Sequence, residues 1–370
     1  MFDKRLQQLK DKIKKEKLDA VFISSVSNIE YLTGYSNFSK DEREAYVFIS
    51  ENFGYIVTDG RYSEAIKKQV PHFTLFERGH KRSIEHLFKK HKKAIKKLGI
   101  EEDNLTVSEH KTIKRHFKNL KHFKVGYLRS IKTSDEIKKI KNACRIGDLA
   151  FDYIIKRIKV GVSEKQIAEQ LENFIKGNAA IISFPPIVAF GKNSSIPHHQ
   201  TGNKRLTIND KLILLDFGAK INGYCSDMTR TVFFGKPDGR QKKMYDTVLQ
   251  AQEEAVDFIA KQQALLINFA VKNGKQIKAK DVDKVARAYI ISKGFPTISH
   301  SLGHGVGLKV HEHPSLSPKS KDFLTEGMVF SIEPGIYIPN FGGVRIEDLF
   351  VLEKNGLRQI TTSPKNIIQL

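Results

Sequence analysis

The sequence predicts an α+β domain preceded by a smaller α/β domain, and three observations lead to this expectation. The chain has 370 residues, more than the roughly 250 to 300 that a single hydrophobic core usually serves. Of these residues, 40% are apolar. Over roughly the first third of the chain, helical and strand-like segments alternate. Later, pairs of strand-like runs lie between long amphipathic segments, which is typical of α+β organisation. We therefore expect two domains, residues 1–131 and 132–370.

The first domain begins with RLQQLKDKIKKEKL, whose apolar spacing predicts an amphipathic helix. DAVFIS, EAYVFIS and GYIVTD are short apolar runs bounded by turn-forming residues, and each predicts a strand. Residues 80–100, HKRSIEHLFKKHKKAIKKLGI, place apolar side chains at helical spacing between lysines. This pattern predicts a further amphipathic helix with a solvated lysine face.

The second domain is expected to begin with a helix. Thr133 and Glu136 have the spacing of a capping box just before IKKIKNACRIGDLAFDYIIKRI. A second helix is predicted from Ser163 to Gly177, and others over residues 241–268 and 279–293. Strand pairs fill the intervals between these helices.

Composition narrows the classes of function. The net charge is +22, but aromatic residues are not interleaved with the basic ones, so a dedicated nucleic-acid site is not expected. No apolar run approaches the about 18 to 20 residues of a membrane span, and the start MFDKRLQQLKDK has no signal-peptide core. The two cysteines, Cys144 and Cys225, are too distant in sequence to form a metal-binding or redox motif. These features predict a cytoplasmic protein.

Two predicted hairpins carry paired acids. In KLILLDFGAKINGYCSDMTRTVFFG, a turn between Ile221 and Asn222 would place Asp216 opposite Asp227, with Cβ atoms about 4.5 to 5.5 Å apart. In MVFSIEPGIYIPNFGGVRIEDLFVLE, a turn centred on Asn340 would do the same for Glu333 and Glu347.

Facing carboxylates raise each other's pKa and destabilise the fold, so a cation is expected between them. A single acid in a turn is ordinarily a surface group, but two symmetric cross-strand pairs are not. The stretch SHSLGHGVGLKVHEHP supplies histidines in the same domain. Oxygen ligands with one imidazole favour Mn²⁺, Co²⁺, Fe²⁺ or Zn²⁺ in a two-metal site, with ions about 3.5 to 4 Å apart.

The order and context of Asp216, Asp227, His304, Glu333 and Glu347 resemble those of the pita-bread metallopeptidases. The flanking words LLDFGAKINGYCSDMTRT, SLGHGVGLKVHEHP, GMVFSIEPGIY and GVRIEDLFVL match the family pattern. Upstream, NIEYLTGY and TDGRY resemble the N-terminal domain of the creatinase, prolidase and aminopeptidase P branch. The resemblance implies a pita-bread catalytic domain behind a creatinase-like N-terminal domain, and it favours the proline-directed branch over methionine aminopeptidases.

The resemblance also implies residue roles. Asp227 and Glu347 would bridge two divalent ions, His304 and Glu333 would complete one site, and Asp216 would complete the other. Mn²⁺ is the expected ion, with Co²⁺ and Zn²⁺ as alternatives, and a hydroxide bridging the two metals would attack the peptide while Glu333 shuttles its proton.

Three further residues receive roles from the same pattern. His198 would hydrogen-bond the scissile peptide, His311 would stabilise the tetrahedral intermediate, and Arg345 would orient a ligand carboxylate. Within the doubled histidine IPHHQ, His198 is preferred to His199, although the alignment could be shifted by one residue. Structural or surface roles are expected for the remaining candidates, His199, His300, His313 and Cys225.

Specificity is the most open point. Some prolidases carry an arginine shortly after the HEXP word that binds the dipeptide carboxylate, whereas HEHPSLSPKSK has Ser315 and Ser317. This departure favours an Xaa-Pro aminopeptidase over an Xaa-Pro dipeptidase. More distant alternatives are a creatinase-like or methionine aminopeptidase-like enzyme and a non-enzymatic pita-bread binding protein. A homodimer is implied by the resemblance, and the long interval around residues 260–276 has no assigned role.

Overall fold

The computed structural model describes residues 2–39, 42–268 and 276–370. The chain divides into two compact units, Met1–Arg129 and Ser130–Leu370. This division lies two residues before the boundary expected from the sequence. The long interval noted at residues 260–276 falls partly outside the described residues, since 269–275 are not among them.

Among its described residues the N-terminal unit has five α-helices and six strands. The helices are α1 (Phe2–Lys15), α2 (Val26–Thr33), α3 (Ser63–Gln69), α4 (Ile84–His91) and α5 (Val107–His116). The strands are β1 (Ala20–Ile23), β2 (Tyr46–Ser50), β3 (Gly54–Asp59), β4 (Thr74–Arg78), β5 (Lys97–Ile100) and β6 (Asn119–His122).

These strands form one mixed sheet in the order β4-β3-β2-β1-β5-β6. The central pairs β1·β2 and β2·β3 are antiparallel, and the outer pairs are parallel. Phe22, Phe48 and Phe88 pack edge to face beneath the sheet, which gives the unit its own apolar core. The α/β class predicted for this domain is confirmed.

The helix predicted over residues 80–100 is wrong at both ends, since residues 80–83 are not helical either. Helix α4 covers only Ile84–His91, and Lys97–Ile100 is the inner strand β5. At Gly99 an added Cβ would lie 2.9 Å from Leu18 Cδ1, so the neighbouring layer approaches the strand more closely than any side chain would allow. Tertiary burial of Leu98 and Ile100 therefore overrides the helical spacing.

The C-terminal unit contains four α-helices and fifteen strands within the described ranges. The helices are α6 (Ser134–Ile155), α7 (Glu164–Gly177), α8 (Gly239–Asn268) and α9 (Ala279–Ser292). The first strands are β7 (Ile181–Ile182), β8 (Ile187–Phe190), β9 (Leu212–Phe217), β10 (Ala219–Ile221), β11 (Tyr224–Cys225), β12 (Met228–Phe233) and β13 (Ile277–Lys278). The others are β14 (Gly303–Gly305), β15 (Glu312–Leu316), β16 (Phe323–Leu324), β17 (Val329–Ile332), β18 (Gly335–Ile338), β19 (Gly342–Arg345), β20 (Asp348–Glu353) and β21 (Gly356–Gln359).

Two helix pairs cover two antiparallel sheets in this unit. Helices α6 and α7 share a hydrophobic core with the sheet β12-β9-β8. Helices α8 and α9 share another with the sheet β15-β14-β17-β20-β21. The predicted capping box of Thr133 and Glu136 begins α6, and an equivalent box at Ser163 begins α7. The α+β class of this domain is confirmed.

Across the described ranges, no helix has both the length and the apolar character that a membrane crossing requires.

Candidate metal centre

Asp216 and Asp227 lie on neighbouring strands, but not in the predicted pairing. Asp216 lies opposite Thr229 in the β9·β12 ladder, so the register predicted for the two aspartates is wrong by two residues. Asn222 and Gly223 both have positive φ, 51° and 83°, and they form the two central residues of the hairpin turn. Because this shift is an even number of residues, Asp227 stays on the same face, as a diagonal neighbour of Asp216.

Glu333 and Glu347 lie in the register that the sequence predicted. Ile332 pairs with Asp348 on one side of them, and Gly335 pairs with Arg345 on the other. Both ladders are centred on Asn340, as expected. The two glutamates therefore face each other in the short gap between these ladders.

The predicted ligands come together in one centre. Three groups each bring ligand atoms within 4.8 Å of one another, and neighbouring groups share members. The groups are Asp216, Asp227 and Glu347; His304, Glu333 and Glu347; and Asp227, His304 and His311. The five residues assigned to metal binding from the sequence therefore occupy a single cluster, with His311 at its edge.

Burial makes negative charge on this cluster of acids unfavourable. Burial, together with the neighbouring carboxylates, raises the pKa of Asp227 and of Glu347 well above the usual range. Burial also raises the pKa of Asp216, although Arg345 opposes that effect. Among the described residues, Asp216 Oδ1, Asp227 Oδ1 and Glu347 Oε1 have no hydrogen-bond partner. Buried acceptors without donors are costly, and divalent cations fit a site of this composition.

Arg345 holds one side of the centre in place. Its Nη2 donates to Asp216 Oδ2 at 2.6 Å, and its Nε donates to Thr229 Oγ1 at 3.0 Å. Thr229 in turn donates its hydroxyl hydrogen to Glu347 Oε2 at 2.7 Å. One guanidinium therefore orients two carboxylates, and their other oxygens are left for a metal. Thr229 was not singled out from the sequence, although it lies two residues after Asp227 and therefore on the same face of the strand.

His304 and Glu333 form the other side. Nε2 of His304 lies 3.2 Å from Glu333 Oε1 and 3.6 Å from Asp227 Oδ2. Burial works against the charged ring, but the hydrogen bond and charge of Glu333 outweigh it and raise the pKa of His304 to about 9. The same contact, acting against burial, lowers the pKa of Glu333 to about 2. Without a metal, His304 thus serves as the cation for this carboxylate.

The histidines predicted to face the substrate lie at the edge of the centre. The His311 ring is exposed and lies 4.3 Å from the His304 ring, at an interplanar angle of 75°. His198 is exposed as well, and the carbonyl of Pro197 just before it accepts a hydrogen bond from Arg345 Nη1 at 3.3 Å. His199 is engaged elsewhere, since its Nε2 lies 2.9 Å from the buried carboxylate of Glu164.

His300 is a neighbour of the centre that the sequence assigned to packing or the surface. Its Nδ1 lies 2.7 Å from the Ser301 carbonyl oxygen and 3.9 Å from Glu333 Oε2. Its Nε2 lies 2.8 Å from the hydroxyl of Tyr337, which also accepts a hydrogen bond from Arg345 Nη1 at 2.8 Å. His300 and Tyr337 therefore connect the Asp216 side to the Glu333 side. Strand spacing could have found Tyr337, but no local pattern separates His300 from an ordinary loop histidine.

His313 and Cys225 make contacts outside the cluster of predicted ligands. His313 Nδ1 lies 2.8 Å from Asp322 Oδ2. Cys225 is buried, and its thiol lies 3.9 Å from the Leu308 carbonyl oxygen. Both observations agree with the structural roles expected from the sequence.

Four clustered carboxylates, three of them buried, and one half-buried imidazole on helix-covered antiparallel sheets define a metal-dependent hydrolase of the pita-bread fold. The sequence model of metallopeptidase family M24 matches residues 138–354, and that of the creatinase/prolidase N-terminal domain matches residues 5–130. The chain belongs to metallopeptidase family M24, and the predicted family is confirmed. Members of this family use divalent metals.

Relatives and solved structures match almost the whole chain. The Xaa-Pro dipeptidase of Pyrococcus horikoshii is 35% identical over 100% of this chain and 99% of its own length. The structure of an Xaa-Pro dipeptidase from Bacillus anthracis is 34% identical, with a TM-score of 0.88 and 100% of both chains covered. That of an X-Pro aminopeptidase from Thermotoga maritima is 33% identical, with a TM-score of 0.79 and coverage of 96% and 98%.

Proposed function

We propose that this protein is a metal-dependent Xaa-Pro dipeptidase, which hydrolyses the bond between a first residue and a C-terminal proline. The observation that carries the proposal is the buried acidic centre with three carboxylate oxygens that lack hydrogen-bond donors. Xaa-Pro dipeptidases among the relatives, at 34% and 35% identity, support the choice of substrate. They favour this activity over the aminopeptidase expected from the sequence.

Two divalent ions, with Mn²⁺ as the first choice, fit the donor set. Asp227 and Glu347 would serve both ions, since each has two carboxylate oxygens and belongs to two of the three groups of candidate ligands. His304 and Glu333 would complete one ion, and Asp216 the other. When bound, the ions would lower the pKa of a coordinated water and so supply a hydroxide near neutral pH.

The protein's own groups then handle the proton and the developing charge. Glu333 would accept a proton and pass it to the leaving nitrogen. Ser331 Oγ donates to its Oε1 at 3.1 Å and fixes its orientation. The imidazoles of His198 and His311 would donate hydrogen bonds toward the carbonyl oxygen and the peptide. Within the part of the chain that the structure describes, neither ring forms an ion pair like that of His199 with Glu164.

A second candidate, Xaa-Pro aminopeptidase activity, is favoured by the surroundings of Ser315. This residue lies directly opposite His304 in the β14·β15 ladder. Its backbone N–H donates to Asp322 Oδ2 at 2.8 Å, and its hydroxyl donates to Ser317 Oγ at 3.1 Å. A carboxylate here would repel the C-terminus of a dipeptide rather than bind it. Longer peptides end farther away and would avoid that repulsion.

Hydrolysis of Xaa-Pro and Xaa-Pro-Yaa peptides, measured side by side with Mn²⁺, separates the two activities. A dipeptidase binds the free carboxylate of the C-terminal proline. One charge-assisted hydrogen bond to that carboxylate, about 1.5 to 3 kcal/mol, corresponds to roughly tenfold to one hundredfold in kcat/KM. We therefore expect kcat/KM for Xaa-Pro to exceed that for Xaa-Pro-Yaa at least tenfold. Equal or faster cleavage of Xaa-Pro-Yaa would identify the aminopeptidase instead.

His198→Ala and His311→Ala are expected to keep both metal ions but lose about 10² to 10³ in kcat, the usual cost of one transition-state donor. His199→Ala is the matched control within the doubled histidine. Because His199 contacts the buried carboxylate of Glu164, His199→Ala should lower the melting temperature and change kcat little. A large loss of kcat in His199→Ala with an active His198→Ala would show that the two roles are reversed.

A further inference from the structure

A buried ion pair lies directly behind the segment that carries His311. Lys132 Nζ is 2.9 Å from Glu312 Oε1, and the two side chains are 1% and 3% exposed. Glu312 follows His311 in the chain and pairs with Gly305 in the β14·β15 ladder. Ion pairs so fully removed from water contribute little net stability. Stability alone therefore does not explain why this pair lies beside His311.

The carboxylate of Glu312 rests on the loop between His304 and His311. A Cβ added to Gly307, in the middle of that loop, would lie 2.2 Å from Glu312 Oε1. The carbonyl of Gly307 accepts a hydrogen bond from the backbone N–H of Cys225 at 2.8 Å, two residues before Asp227. Only glycine lets the carboxylate approach this closely, so the loop is held from both sides.

Lys132 is itself firmly anchored. Its backbone N–H donates to the Gly327 carbonyl at 2.8 Å, and Ile131 forms an isolated β-bridge with Met328. The next residue, Thr133, is the N-cap of α6 and makes both bonds of the capping box. The ammonium group therefore projects from a fixed point of the C-terminal unit.

We propose that Lys132 is a positioning residue that holds His311 against the metal centre through Glu312. The ion pair fixes the backbone on one side of His311, whose ring lies 4.3 Å from that of His304. Since His311 is exposed, packing alone does not fix the ring, and a displacement of about 1 Å can cost about 10²-fold in rate. The effect on turnover rests on the proposed function, whereas the effect on the position of His311 does not.

Neutral variants test the role in turnover. Lys132→Met and Glu312→Gln should each lower kcat about 10²-fold while both metal ions stay bound and KM changes little. The double variant Lys132→Met/Glu312→Gln should regain melting temperature, because no unpaired charge remains, but it should not regain kcat. Lys138→Met, an exposed position on α6, is the control. If kcat recovers together with the melting temperature, the pair is only structural and the proposal fails.

Two further measurements address His311 directly. In a His311→Ala background, Lys132→Met should cause no additional loss of kcat, whereas additive losses would show that Lys132 acts elsewhere. A crystal structure of the double variant should show the His311 ring displaced from its contact with His304. An undisplaced ring would overturn the proposal whatever the substrate is. If the wild-type protein cleaves no Xaa-Pro peptide, the proposed function fails, and the crystal structure still decides the role of Lys132. If a single variant does not fold, the double variant carries both tests.

Discussion

Asp227→Ala is expected to abolish metal binding and peptide hydrolysis together. The proposed role of Asp227 is to bridge both ions, and its Oδ1 has no hydrogen-bond partner among the described residues. Loss of about 4 kcal/mol of metal-based transition-state stabilisation corresponds to about 10³-fold in rate. Elemental analysis after reconstitution with Mn²⁺ should approach two ions per chain for the wild-type protein and far fewer for the variant.

The control for this experiment is Asp246→Ala. Asp246 forms an exposed i,i+4 ion pair with Lys242 at 3.1 Å, and the side chains are 52% and 62% exposed. Such pairs contribute little, so occupancy and kcat should both stay at the wild-type level. An Asp227→Ala protein with full activity would rule out the dinuclear centre, and one that keeps its metal but not its activity would place Asp227 outside the bridge.

Local sequence patterns predicted the register of one of the two hairpins that carry the acids. The turn around Asn340 has a defined register, so the facing of Glu333 and Glu347 followed from counting residues. For the hairpin of Asp216 and Asp227 the turn was placed one residue too early, although Asn222 and Gly223 form the dipeptide that favours such a turn. Because the resulting register error was two residues, Asp227 still lies on the expected face of the strand, next to the other acids.

Other features depend on parts of the chain that are distant in sequence. Lys97–Ile100 has helical spacing, but the close approach at Gly99 makes it a strand. Lys132 and Glu312 lie 180 positions apart (312 minus 132), and no spacing rule relates them. His300 approaches Glu333 only because of the path of the loop before β14. Such contacts appear in the packed structure and not in the local sequence pattern.

The second large effect concerns the stability of the metal-free protein, which should fall as pH rises. Burial, with added repulsion from other carboxylates, raises the pKa of Asp227 and Glu347. A group whose pKa is higher in the folded state stabilises the fold below its unfolded pKa, 3.8 or 4.5 here. That contribution is lost as pH rises toward the folded pKa. The melting temperature in EDTA should therefore decrease above about pH 4.5.

Two other groups in the centre set the best window for this measurement. His304, with its pKa raised to about 9, loses its contribution only above its unfolded pKa of 6.5 and acts in the same direction. Glu333, with its pKa lowered to about 2, acts in the opposite direction, and only below about 4.5. Between about pH 4.5 and 6, His300 and His311 act in the opposite direction, because burial lowers the pKa of both rings. The pKa values of Asp227 and Glu347 are raised well above the usual range. Together with Asp216, whose pKa is also raised, these carboxylates should therefore dominate the measurement.

Metal ions should reverse this dependence, because they bind the deprotonated carboxylates. Each ion at a free concentration one hundred times its Kd adds about 2.7 kcal/mol, which for a domain of this size is roughly 5 to 10 °C in Tm. The difference in Tm between Mn²⁺ and EDTA should thus widen from pH 4.5 to 6. Asp227→Asn removes one of the repelling charges, so in EDTA it should melt above the wild-type protein and gain little from Mn²⁺. A wild-type Tm that rises with pH in EDTA, or an Asp227→Asn variant that melts lower there, would mean that the acids of this centre are not held against one another.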